Sequence, residues 1–369
     1  MPIRFDGDRR IVMTLDAGGT NLKFSAIQGN RLLVAPIGIP SEADHLERCL
    51  GNLVRGFECV QKSLPAPPVA ISFAFPGPAD YPAGIIGDLG NLPGFRGGVA
   101  LGPMLQEKFG VPVFINNDGD LFVYGEAIAG FLPYVNGLLE QAGSPKRYKN
   151  LFGITLGTGT GGGIVYDGEL FLGDNSAGAE VWLSRNKLDP SVNAEEGASI
   201  RAVRRVYAQK AGLRLDEAPE PKMIFEIGTG AAEGDRVAAR EAFRQLGEVA
   251  GDVVAQALTL VDGLAVVGGG ISGAHSLFLQ PMVDAMNGVY DVGGKPLRRL
   301  IPRAFNLEDA RQREEFLGSK AREVTVPGTT RKVPYDPFQR TAVGLSRLGT
   351  SEAVAIGAYA FALNRLDAL

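Results

Sequence analysis

Cysteine and histidine are nearly missing from this sequence of 369 residues, which has two of each: Cys49 and Cys59, His45 and His275. Two cysteines so far apart make no CxxC pair, no four-cysteine zinc site and no iron–sulfur ligand set. A Ser–His or Cys–His hydrolase would have to use one of two histidines that stand in no suggestive context. Acid–base chemistry therefore falls to carboxylates. No apolar run approaches the ~20 residues of a membrane helix, and the polar start 1–10 holds no secretory hydrophobic segment. Charge is not lopsided either: 37 Lys and Arg against 41 Asp and Glu leave a net −4, which offers no broad basic surface for nucleic acid. These absences predict a globular, cytoplasmic protein without nucleic-acid or membrane partners. At roughly 150 residues per domain, the length predicts two domains.

What the sequence has in excess is glycine, 50 residues, about twice the usual frequency and clustered. The opening reads as a β-meander, with strands at 11–15, 22–27 and 31–39. Ser41 with Asp44 reads as a capping box. Leu46, Cys49, Leu50, Leu53, Val54 and Phe57 then share one helical face, which puts Cys49 in the core and His45 on the surface. Further strands are expected at 69–75 and 111–115, and helices before Gly110 and over 120–129. The loop tip at Lys146, Arg147 and Lys149 reads as solvated. A second meander starts at 151–156, turns through 157–163 and continues at 164–166 and 169–172. Helices follow at 199–211 and 236–260, then a strand at 264–267, a helix at 276–286 and an Ala-rich terminal helix capped by Ser351. The segment 291–340 reads as irregular, basic and Pro-punctuated: a lid, an oligomer contact or a surface insertion. Two similar α/β lobes facing one cleft are the natural inference.

Four constellations carry candidate chemistry. Asp16-Ala17-Gly18-Gly19-Thr20-Asn21 joins two strands, and is either a plain hairpin turn or a nest of backbone N–H groups for an anion. In the second reading Asp16 could hold a hydrated Mg²⁺. It is not a Walker loop, since no Gly-Lys-Ser/Thr opens a helix. The second is Leu156-Gly157-Thr158-Gly159-Thr160-Gly161-Gly162-Gly163, whose glycine density favours contact with phosphate. The third, Asn117-Asp118, ends a strand, where α/β folds place reacting groups; the alternative is an Asp that merely caps the next helix. The fourth, Gly268-Gly269-Gly270, follows a strand and is either a turn or a surface on which a flat adenine can lie.

Together with Phe75–Pro78 (FPGP) and Asn91–Phe95 (NLPGF), these segments occur in the order of the ROK sugar-kinase family, which the chain resembles over about 10–287 and the terminal helix. The resemblance implies two actin-like/RNase H-like lobes, each a mixed sheet with flanking helices, divided as 1–119 plus 351–369 and 120–350. It implies phosphorylation of a hexose or N-acetylhexosamine hydroxyl by MgATP, in a homodimer. By the same resemblance Asp118 is the general base, and Asn91, Gly94 and Asn117 lie on the sugar side. Gly18, Gly19, Thr20, Thr158 and Gly159 hold phosphate, Gly269 and Gly270 the adenosine, and Asp16 sits near Mg²⁺, through water. The family pattern Glu-x-Gly-His is here Glu180-Val181-Trp182-Leu183. Glu180 is kept as a sugar contact, while Leu183 replaces the His. No cysteine cluster follows, so no zinc is expected. A further family glutamate falls at Glu195 or Glu196, with Glu196 the candidate. Trp182 could stack on a sugar or sit in the core.

Two other functions compete with the kinase. ROK repressors carry a winged helix-turn-helix ahead of the first Gly motif, and fifteen residues leave no room for one. A catalytically silent sugar or nucleotide sensor is the alternative, and the missing His is what speaks for it. An actin-like ATPase with a non-sugar partner is opposed by Asn117-Asp118 and NLPGF.

Overall fold

The computed structural model describes residues 4–17, 21–77, 79–88, 94–318 and 321–368. Alternating apolar residues form the expected meander: β1 (Val12–Ala17), β2 (Asn21–Gln28) and β3 (Arg31–Pro40) pair antiparallel. Next come α1 (Leu46–Lys62), β4 (Ala70–Ala74), the small hairpin β5 (Ala79–Asp80) and β6 (Ile85–Ile86), α2 (Leu101–Phe109), β7 (Val113–Asn116) and α3 (Asp118–Ile128). The sheet runs β3-β2-β1-β4-β7, and β1, β4 and β7 are parallel. Their carboxyl ends therefore emerge along one edge. On one face α1 lays down Cys49, Leu53, Phe57 and Val60, and the rings of Phe24 and Phe57 meet edge-on at 5.1 Å.

The chain continues through α4 (Phe131–Gln141), β8 (Leu151–Leu156), β9 (Thr160–Tyr166), β10 (Glu169–Phe171), α5 (Ile200–Ala211), α6 (Pro221–Thr229), α7 (Arg236–Val261), β11 (Leu264–Gly268) and α8 (His275–Met286). The hairpin β12 (Val289–Val292) and β13 (Lys295–Arg298), β14 (Arg303–Asn306), α9 (Ala310–Leu317), the hairpin β15 (Arg322–Thr325) and β16 (Lys332–Tyr335), β17 (Arg340–Leu345) and α10 (Thr350–Asp367) complete it. The second sheet runs β10-β9-β8-β11-β17-β14, and β8, β11, β17 and β14 are parallel. Both sheets are mixed and flanked by helices, as expected. Among the described residues no helix is long and apolar enough to cross a membrane.

Two compact units result: Met1–Pro133 with Gly163–Ala179 and Arg347–Leu369, and Tyr134–Gly162 with Glu180–Ser346. The division expected after residue 119 thus falls after Pro133, and α3 goes with the first sheet. On that sheet's second face Tyr359, Ala362 and Leu363 of α10 cover Val12, Ile27 and Ala70. α3 and α10 cross with their backbones in contact. A Cβ on Gly125 would lie 1.9 Å from the Ala353 carbonyl oxygen, and one on Gly357 1.9 Å from that of Leu121.

Several local expectations are corrected. Ser41 is buried just past β3 and is not the N-cap of α1, which is His45, without a side-chain hydrogen bond. Ser351 lies inside α10, whose N-cap is Gly349 at φ 80°. The segment 291–340 is not a plain insertion, because β14 within it pairs with β17 and closes the second sheet. α6 was not foreseen; its Pro221 sits in the first turn, the one helical position where a missing N–H costs nothing.

Candidate active site

The parallel order β1-β4-β7 sets Asp16 and Asn117-Asp118 at the same edge, two strand spacings apart. That is roughly 10 Å. The turn from β7 into α3 decides the roles of the Asn-Asp pair. Asn117 is the N-cap, its side-chain oxygen accepting the Gly119 N–H at 2.8 Å. Asp118 is therefore not needed as the cap and becomes the first helical residue, its carboxylate sharing the same Gly119 N–H at 2.8 Å. Asp118 keeps access to solvent within a crowded recess. Desolvation by the surrounding protein raises its pKa, and the Asp16 charge adds to the rise. The N–H groups of Gly119 and of Asp118 itself oppose it. A carboxylate with a raised pKa, beside a second carboxylate, marks a candidate functional site.

The strand β9 passes over this turn. A Cβ on Gly163 would come within 2.6 Å of the Gly119 carbonyl oxygen, 2.4 Å of Val123 Cγ1 and 3.1 Å of Asp120 Cα. Gly163→Ala should push the first turn of α3, and Asp118 with it. A displacement of this kind is expected to lower kcat by roughly tenfold to a hundredfold and stability by about 1–3 kcal/mol, read from steady-state rates and urea titration of the same preparation.

In the second unit the turn between β8 and β9 closes with the Gly157 N–H donating to the Gly159 carbonyl at 2.9 Å. Glu195 latches it. Its carboxylate accepts the Thr160 N–H at 3.0 Å and stands 2.6 Å from where a Cβ of Gly159 would be. Arg201 joins the latch to the turn, donating to Glu195 at 2.9 Å and to the Thr158 carbonyl at 3.3 Å. Gly161 is crowded by Thr155 Oγ1 at 2.6 Å. The glycine density at 159, 161 and 163 thus answers first to close packing, whereas Gly157 meets nothing within 4 Å.

β8 and β11 pair in parallel with Gly268 opposite Thr155, so the two Gly turns leave adjacent strand ends. Gly269, at φ 86°, fits against Leu156 with no room for a Cβ, while Gly270 faces open space. Glu196 is clamped by Arg201 and Arg205, each at 2.9 Å, and these hydrogen bonds lower its pKa. Glu180 accepts a hydrogen bond from the Trp182 indole N–H, and Leu183 is 61 % exposed. Trp182 is thus half-buried beside Glu180, not a core residue. Gly94 lies against the start of α1, its Cβ position 3.0 Å from Leu46 N. Gly18, Gly19, Thr20 and Asn91 lie outside the described residues. The network in which Arg201 holds Glu195 and Glu196, and Arg205 holds Glu196, has as its sequence signal two arginines four apart on α5, just past a Glu-Glu pair.

Residues 12–291 match the model of the ROK family. The chain is 28 % identical over 251 residues to the glucokinase of Thermotoga maritima, across 62 % of this chain and 74 % of that one. It is 26 % identical over 274 residues to the N-acetyl-D-glucosamine kinase of Vibrio parahaemolyticus, across 71 % and 85 %. The crystal structure of glucokinase from Parabacteroides distasonis superposes with a TM-score of 0.90 at 55 % identity, across 98 % of this chain and 99 % of that one.

Proposed function

Because the chain belongs to the ROK family and is a sugar kinase, we propose that it transfers the γ-phosphoryl of ATP to a hydroxyl of a hexose or N-acetylhexosamine. Asp118 is the general base. The observation that carries this reading is the division of labour between Asn117 and Asp118: the asparagine caps α3 and leaves the carboxylate, with its raised pKa, accessible. Asp118 accepts the proton of the attacking sugar hydroxyl, a role that contributes typically 10²–10⁴-fold. The Asn117 amide nitrogen and Glu180 hold neighbouring sugar hydroxyls, with Asn91, Gly94 and Glu196 on the same side. The N–H groups of the Gly157–Thr160 turn, with Gly18, Gly19 and Thr20, cradle phosphate oxygens. The Glu195–Arg201 latch keeps Thr158 and Gly159 in place. Gly269 and Gly270 leave the backbone bare for the adenosine.

A single accessible carboxylate at a strand end suits Mg²⁺, which is usually held by one or two carboxylates and the substrate phosphates. Asp16 would hold it through water. When bound, magnesium supplies charge neutralisation on the β- and γ-phosphate oxygens. The enzyme works as a cytoplasmic homodimer in this reading.

A coupled ADP-release assay with MgATP over hexoses and N-acetylhexosamines tests it, with glucose and N-acetylglucosamine first. Turnover of at least one sugar is expected. A folded protein that binds a sugar and releases no ADP with any of them would return the silent sensor. Trp182, the single tryptophan, gives a second readout. Sugar binding should change its fluorescence. Trp182→Phe, which leaves Glu180 unheld, should raise the sugar KM by about tenfold, the worth of one charge-assisted hydrogen bond, with the KM for ATP unmoved.

A further inference from the structure

The face of the first sheet that α10 covers changes character along its length. Side chains alternate on a strand, so Val12, Thr14 and Asp16 look toward α10, with Ile27, Ser25 and Lys23 opposite them in the ladder. At one end Val12 and Ile27 are sealed by Tyr359, Ala362 and Leu363. Toward the N-terminus of α10 the cover thins, and a cavity of about 440 Å³ remains between sheet and helix. Its walls include Ile27, Leu32, Pro36, Val354, Ala355 and Ile356. Its floor is a hydroxyl pair, Thr14 and Ser25, 2.8 Å apart and buried.

At the inner end Asn30 is 8 % exposed. Its Nδ2 donates to the Arg4 carbonyl at 2.7 Å, while its buried Oδ1 meets no donor among the described residues. Charged side chains, Asp16, Lys23 and Glu352, stand only among the accessible residues of the lining. A slot of this volume, apolar on its walls with a few convergent polar atoms, is how proteins bind small organic molecules. A buried acceptor without a donor is costly, and packing alone would be served by Val or Ala in place of Thr14 and Ser25.

We propose that this slot is a second small-molecule site, distinct from the sugar and nucleotide positions. Its ligand is uncharged, flat and largely apolar, and carries an N–H or O–H donor for Asn30 Oδ1 and an acceptor for the Thr14–Ser25 pair. An aromatic carboxamide meets all three demands. Sugars do not suit the apolar walls, and the one cation among the described lining residues, Lys23, is exposed. Occupancy bears on catalysis through Asp16, the lining residue that the proposed function assigns to magnesium. That coupling rests on the kinase reading; the binding does not.

The test is ligand-observed NMR titration of the full chain with 2-naphthamide, for the wild type, Ala355→Phe, which fills the slot, and Asn30→Gly, which removes the acceptor and keeps the positive φ of 57°. Melting curves of all three establish that they fold. Saturable binding to the wild type, abolished in Ala355→Phe and weakened about tenfold in Asn30→Gly, supports the site. Absence of saturable binding to the wild type overturns it. So does equal binding to all three, or displacement by glucose. With the site established, 2-naphthamide should raise the KM for MgATP and leave the sugar KM unchanged. A kinase indifferent to it overturns the coupling while leaving the kinase reading intact.

Discussion

Asp118→Asn is expected to lower kcat by roughly 10²–10⁴-fold without loss of melting temperature. Asn keeps the size of the side chain and can still accept the Gly119 N–H, so the first turn of α3 stays formed. What disappears is the basic oxygen. Desolvation raises the Asp118 pKa, so the group binds its proton more readily in the folded chain than in the unfolded one. Its ionised form is therefore disfavoured in the native state at neutral pH, and a neutral Asn relieves that strain. The same shift moves the acid limb of kcat/KM. The base is active only when ionised, so the rate falls as pH drops through the raised pKa, at higher pH than an ordinary aspartate would give. A pH–rate profile of the wild type and a melting curve of the variant check both halves. A variant that melts lower and loses activity in proportion would reduce Asp118 to a structural residue.

Glu126→Ala should be among the most destabilising single changes in the chain. Glu126 is fully buried in α3, and its carboxylate accepts the backbone N–H groups of Phe131 at 2.7 Å, Arg347 at 3.2 Å and Leu348 at 3.1 Å. Phe131 opens α4, and Arg347 and Leu348 lead into α10, so one side chain of α3 holds the starts of both. Gly130 makes the approach possible, since a Cβ there would sit 2.3 Å from Glu126 Oε2. Truncation strands one buried and two part-buried donors at about 1–3 kcal/mol each, and a loss of about 3–5 kcal/mol is expected after local relaxation. Glu126→Gln, which keeps one acceptor oxygen, should recover part of it. Urea titrations of the three proteins give the comparison. A loss under about 1 kcal/mol for Glu126→Ala would mean that water replaces the carboxylate freely.

The meander, the Asn-Asp pair at a strand end and the two Gly turns could all be read in advance, because each is written locally in alternation or in turn residues. Failures came where distant chain decided. Ser41 has the right neighbours for a cap, yet α1 starts only at Leu46 and its N-cap is His45. β14 is four residues with a charged end, and what makes it a strand is β17, more than thirty residues on. Asp118 looked evenly balanced between base and cap. In the structure Asn117 holds the cap, a competition that composition cannot express. The glycines at 159, 161 and 163 suggested a ligand, whereas their immediate neighbours are Glu195, Thr155 and Val123. Glycine reports that something comes close, not what it is.

The crossing of α3 and α10 also sets an order of events in the cell. Gly29 and Tyr359, joined by a hydrogen bond, are 330 positions apart, and the helix that seals Val12, Ile27 and Ala70 leaves the ribosome long after the sheet does. At about 5–20 residues per second the strands wait roughly 15–65 s with one apolar face open. Nothing made in the interval can stand in for α10, because the fit at Gly125 and Gly357 admits only a backbone at van der Waals distance. The nascent chain thus spends most of its synthesis as an uncovered sheet.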